Sequence, residues 1–249
     1  FILYPYNPVS SAYEMLLGQG SIVINAFKVS LARVFVGTTL NVLFTFVLAY
    51  VLSRRGLRGR TPITLFVFFT MLFSGGLVPN FVLVENLGLV NSFWAMILPG
   101  LINPWWMLIM RNFIMMAIPE ELEEAAMVDG ATPPRILASI VFPLSMPVIA
   151  TVGLWYAVWH WNAWFDAVIY LNEAWRLPLQ PILRQILETG GGMVKDDSAF
   201  AAALELAEPP PAEALRAAMI VIVTTPILVV YPFIQRYFVK GVMLGGIKG

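Results

Sequence analysis

Apolar runs alternate with short polar breaks along the whole chain, and five of the runs have the length and composition of membrane-crossing helices. They lie at residues 31–52, 62–84, 92–116, 136–161 and 212–238. The first ends at Arg54, Arg55, Arg58 and Arg60, a cluster that resists entry into lipid, while Asn25, Lys28 and Arg33 near its start are expected to snorkel toward the interface. The second carries Gly75, Gly76 and Pro79, which a membrane helix tolerates when its neighbours satisfy the loosened backbone. Pro99 and Pro104 interrupt the third run, and the fourth continues through Pro143 and Pro147. The triple proline 209–211 cannot continue a helix but can open one, so Ala212 to Leu215 are expected to form the first turn of the fifth.

Composition agrees with the pattern. Of 249 residues, 59% are hydrophobic and 12% charged, and the mean hydropathy is +0.78, which indicates an all-α polytopic membrane protein. A net charge of zero lacks the basic footprint of a nucleic-acid binder. With no cysteine there is no disulfide, thiolate metal site or thiol nucleophile. His160 is the single histidine, so no histidine cluster can hold a metal, and no catalytic constellation is visible. Nor does any apolar run contain a carboxylate pair of the sort an ion-coupled carrier uses.

The placement of lysine and arginine orients the chain. Segments 54–60, 111–137 and 236–249 hold Arg54, Arg55, Arg58, Arg60, Arg111, Arg135, Arg236, Lys240 and Lys248, whereas loops 85–91 and 162–213 hold three basic residues against nine carboxylates. The first set is therefore expected in the cytoplasm, C-terminus included, and the second outside. This divides the chain into an outward segment 1–30, a membrane domain 31–238 with a periplasmic region 162–213, and a cytoplasmic tail 239–249. Five crossings then leave Phe1 outside. Together with the absence of an initiator methionine or a basic leader, that predicts a further helix upstream.

The segment 119–131 interrupts the apolar pattern most sharply, holding five of the fifteen carboxylates. Pro119, followed by Glu120 and Glu121, suits a helix start, and Gly130 suits a stop, so a short cytoplasmic helix of roughly two turns lying along the membrane is expected. Its apolar positions Leu122, Ala125, Ala126 and Val128 can pack on a partner. By spacing alone it can equally be a mere connector.

The order Glu124-Ala125-Ala126, Asp129-Gly130-Ala131, then Ile140-Val141-Phe142-Pro143 resembles the EAA motif of permease subunits of binding-protein-dependent ABC importers, with Phe142 where the family usually has leucine. The segment from Trp159 to Asp166 and the tail from Tyr237 to Gly249 look like the maltose-permease-type carbohydrate branch. The resemblance implies a type I importer permease fold, usually of six helices, in the bacterial inner membrane. It also implies a second homologous permease subunit, two ABC ATPase subunits that use ATP and magnesium, and a periplasmic solute-binding protein. No cofactor is then expected on this chain, which would be a transport subunit and no enzyme. Glu121, Glu124, Ala125, Ala126, Asp129 and Gly130 would couple to an ATPase, with Lys240, Gly245 and Gly246 as a second contact. The bland alternative for the tail is a frayed basic terminus.

The solute path has weaker markers. Trp155, Trp159 and Asn162 share one helix face and suit stacking on sugar rings, whereas Trp161 and Trp164 suit an interfacial aromatic belt. Asn41 and Asn103 either face a cavity or bond between helices. The region 162–213 contains an amphipathic helix near 176–188 and a small-residue one at 198–207. It is either a cap that meets the binding protein or an ordered lid. The sequence leaves open another solute for the same machine, a polyol or glycerol phosphate, and at lower weight an ion-coupled carrier.

Overall fold

The computed structural model describes residues 10–18, 21–189 and 211–242, with side chains through 230. The described residues contain helices and no strand. In chain order these are α1 (Ser11–Leu17), α2 (Ile22–Ser53), α3 (Arg60–Leu72), α4 (Leu77–Asn86), α5 (Pro104–Ala117), α6 (Glu120–Val128), α7 (Pro133–Ile136), α8 (Phe142–Leu144), α9 (Met146–Asn162), α10 (Phe165–Tyr170), α11 (Leu179–Thr189) and α12 (Ala212–Val242). Short 3₁₀ turns occupy Phe93–Met96, Leu98–Gly100 and Ala174–Arg176.

Among the described residues, two helices are long and apolar enough to cross a membrane alone, Ile22–Ser53 and Ala212–Val230. The other three expected spans exist only as bent pairs. α3 and α4 meet at 117°, Phe93–Gly100 and α5 at 53°, and Pro133–Leu144 and α9 at 80°. Counting each pair as one span gives five. The second span is thus not the continuous helix expected through Gly75 and Gly76. α3 stops at Leu72, where Phe73 turns extended, and Gly76 at the N-cap of α4 takes φ 87°, a backbone that favours glycine and lets α4 start in a new direction. In the fourth, the backbone leaves the α form at a π turn over Leu137–Val141 and bends at Ser145, beside Pro143 and Pro147, whose rings remove backbone donors.

The chain forms two compact units. One comprises Phe1–Arg33, Gly88–Met96 and Trp161–Pro232. Its core joins Met96, Ala167 and Leu171 with Val29, Phe93 and Leu177. The helix expected near 176–188 is α11, which buries Leu179, Ile182 and Ile186 at three- and four-residue spacing. Its first backbone amide donates to Ser30 Oγ at 2.7 Å.

The other unit comprises Val34–Leu87, Ile97–His160 and Phe233–Gly249. Phe46, Ala49 and Leu52 of α2 pack there with Met107, Met110 and Ile114 of α5 and with Val148, Val152 and Tyr156 of α9. Asn103 caps α5, its Oδ1 accepting from the Trp106 amide at 3.2 Å ahead of Pro104 at the first helical position. α3, by contrast, buries no residue, and Phe66, Phe69 and Leu72 stand exposed on it. In an apolar medium such a surface costs nothing.

Candidate functional site

The polar interruption is a helix, α6, and the structure accounts for both of its ends. Pro119 is extended (φ −60°, ψ 142°) and cannot extend the helix backward, while Glu120, Glu121 and Glu123 fill the first turn, where carboxylates oppose the positive helix end. At the other end the Ala131 amide donates to the Ala126 carbonyl at 2.9 Å and the Gly130 amide to the Met127 carbonyl at 3.0 Å. This pair of bonds is a Schellman stop, and it requires the left-handed residue that Gly130 supplies at φ 81°. A Cβ on Gly130 would meet nothing within 4 Å, so the glycine answers a backbone need and not a lack of room in this chain.

Glu121, Leu122, Glu124, Ala125, Val128 and Asp129 of this segment are exposed, Val128 by 87%. Ala126 is an exception among the coupling residues, since it packs against this chain's own core and so is only partly available to a partner.

Glu123, which the motif does not single out, is 5% exposed. Tyr50 Oη donates to its Oε2 at 3.2 Å, and Arg54 Nη2 stands 2.6 Å from its Oε1, at ion-pair distance but off hydrogen-bond alignment. The Arg54 guanidinium also lies 4.7 Å from the centre of the Tyr50 ring. Burial pushes the Glu123 carboxyl above the usual carboxylate range, Arg54 and the Tyr50 hydroxyl pull it back, and Glu120 adds to the upward push. A signal was present in the sequence: Glu123 and Ala126 are three apart on one helix face, and Tyr50 and Arg54 are four apart on another.

Asn41 and Asn103, for which a cavity-facing place was one of two expectations, serve internal bonds. Asn41 is fully buried, donating to the Gly100 carbonyl at 2.8 Å and standing 3.1 Å from His160 Nε2 through its Oδ1. The Asn103 side chain is taken up by the α5 cap, its backbone N–H donates to Tyr156 Oη at 2.8 Å, and Thr45 Oγ1 lies 2.8 Å from the same hydroxyl. Polar groups inside a membrane protein must find such partners. Trp155 is half-buried, 6.2 Å from Trp106 between ring centres. Trp159 keeps 40% of its surface exposed and meets the His160 ring at 4.7 Å, and Asn162 is exposed. Of the expected path residues, Trp159 and Asn162 therefore retain accessible surface.

Two expectations in the first unit change. Arg33 does not snorkel: it is fully buried, and both of its terminal nitrogens engage the Asp166 carboxylate, Nη1 to Oδ1 at 3.2 Å. Trp161 is buried edge-on against Phe27, 6.1 Å between ring centres, instead of lining a lipid interface. Trp164 is half-buried and lies under the Arg184 guanidinium at 3.9 Å, a cation–π contact with α11. The Lys240 side chain, the glycines Gly245 and Gly246, the loop 190–197 and the expected helix at 198–207 lie outside the described residues.

The matched family model, described as binding-protein-dependent transport system inner membrane component, spans residues 38–244 and so contains α6 and both bent spans that flank it. The chain belongs to this family. Among permeases it is 43% identical over its full length to the polygalacturonan/rhamnogalacturonan transport system permease protein YtcP of Bacillus subtilis (strain 168), covering 85% of that protein. It is 39% identical to Protein LplC of the same organism, again over its full length and 82% of the relative. A crystal structure of a bacterial ABC transporter involved in the import of the acidic polysaccharide alginate matches with a TM-score of 0.84 at 30% identity, over 95% of this chain and 82% of that one. The resemblance carried by the EAA motif is thereby borne out, and the permease is an inner-membrane protein with the helical fold of that importer.

Proposed function

We propose that this permease subunit carries fragments of an acidic polysaccharide through the inner membrane, receiving them from a periplasmic binding protein. Two partner ATPases would drive alternating access. The full-length likeness to YtcP supports this reading most, since YtcP is named for polygalacturonan and rhamnogalacturonan and the structural neighbour imports alginate. These glycans share uronic acid carboxylates. The exposed residues of α6 support the mechanical half of the reading: Glu121, Glu124, Ala125 and Asp129 are open to solvent and available to an ATPase cleft. The basic segments 54–60, 111–137 and 236–249, with α6, would then lie in the cytoplasm.

Purifying the permease pair with its ATPases and binding protein, then screening ATP hydrolysis across glycans, tests the reading. Oligogalacturonides or alginate oligosaccharides should stimulate hydrolysis while neutral maltooligosaccharides should not. Stimulation by neutral glycans alone would contradict the acidic assignment.

A further inference from the structure

The C-terminal turn of α2 gathers three other elements. A helix leaves its last carbonyls without intrahelical partners, and here the Leu52 carbonyl accepts from Arg60 Nε at the start of α3, at 3.0 Å, and from Arg111 Nε in α5, at 2.8 Å. Both donors are charged, so these bonds are stronger than neutral ones. From the same turn Tyr50 and Arg54 reach Glu123 in α6. Each of these links is at least partly shielded from water, unlike the Arg55–Glu120 contact at 3.7 Å, whose arginine is 79% exposed.

α6 therefore has two sides with different work. Its outer side presents Glu121 and Ala125, and its inner side is tied to the end of α2 through one carboxylate. A buried, paired carboxylate resists separation far more than a solvated one, because parting the charges strands each of them away from water. The pair also borders a cleft of about 310 Å³ lined by Tyr50, Arg54, Glu120, Glu124 and Met127, which leaves room for α6 to be pushed without losing its hold.

We propose that Glu123 is the positioning residue of coupling: through Tyr50 and Arg54 it transmits displacement of α6 to α2, and from the Leu52 carbonyl to α3 and α5. Glu123 takes no part in holding the ATPase. This rests on α6 being the helix that meets an ATPase.

The test uses the assembled complex of permeases, ATPases and binding protein, with Glu123→Gln, Glu123→Arg and the exchange Glu123→Arg/Arg54→Glu. ATPase co-purification should stay stoichiometric in all three. Solute-stimulated hydrolysis should fall about tenfold in Glu123→Arg, the scale of an ordinary allosteric coupling, fall less in Glu123→Gln, and recover in the exchange. Wild-type stimulation in both single variants would overturn the proposal, as would an exchange that retains its ATPases without recovering. Loss of the ATPase from the single variants would also overturn it, by placing Glu123 in the docking face. Should Glu123→Arg fail to accumulate, the nearly isosteric Glu123→Gln decides alone. A wild-type complex that holds no ATPase would instead contradict the reading of α6.

Discussion

Arg33 on α2 and Asp166 on α10 form a two-pronged ion pair in which the guanidinium is fully buried and the carboxylate is one-quarter exposed. The Met96 and Ala163 carbonyls, each 3.4 Å from a guanidinium nitrogen, complete the site. The pair closes the first unit around residues far apart in sequence. Removing one partner strands the other, so Arg33→Met should destabilise by roughly 3–5 kcal/mol, and Arg33→Met/Asp166→Leu should recover much of the loss. Thermal unfolding of the detergent-solubilised protein, run as a double-mutant cycle, measures both.

Gly37 should tolerate no side chain. A Cβ there would lie 2.4 Å from His160 Nε2, and the imidazole, itself 1% exposed, has nowhere obvious to retreat. Gly37→Ala should cost about 1–3 kcal/mol and break the Asn41–His160 contact. The melting temperature reads the first effect. The His160 ring resonances read the second.

Gly130→Ala should weaken the stop of α6 by about 1–2 kcal/mol, the cost of a left-handed alanine, with no steric penalty added. Gly130→Asn should cost less, because asparagine enters that region more readily. Faster hydrogen exchange at the Gly130 and Ala131 amides, which make the two closing bonds, would report the loosened turn.

The raised Glu123 carboxyl gives a pH signature of definite sign. Between the ordinary glutamate value and the raised one, the folded protein binds more protons than the unfolded chain, so this group's contribution to stability falls as pH rises through that window. Glu123→Gln removes the contribution. The difference in melting temperature between wild type and variant should therefore drift in favour of the variant as pH rises through that window. Other carboxylates titrate alike in both proteins, and a flat or opposite difference would contradict the assignment.

Hydrophobic runs alone located all five apolar segments, and Pro119 with its following glutamates and Gly130 located α6 and its stop, because both signals are local. What the runs could not reveal was where a segment bends. Gly76 was visible as a helix breaker, yet a membrane helix accepts such residues when its neighbours compensate, and only the packed chain shows that α3 and α4 part company there. Arg33 misled for a related reason. A basic residue near a helix end normally snorkels, and its partner Asp166 lies too far along the chain for any spacing rule to find. Trp161 followed the same course, since an aromatic belt and a buried aromatic contact read alike in sequence. Glu123 was legible in principle from its three-residue spacing to the inward Ala126, but the motif drew attention to its neighbour Glu124.

Uptake into proteoliposomes tests most directly whether this permease works as one half of an ATP-driven importer. With permeases, ATPases and binding protein present, labelled oligogalacturonide should accumulate only when ATP is supplied on the ATPase side. It should stop when Glu124→Lys alters the exposed face of α6. Accumulation without ATP, driven by an ion gradient across the same vesicles, would contradict it.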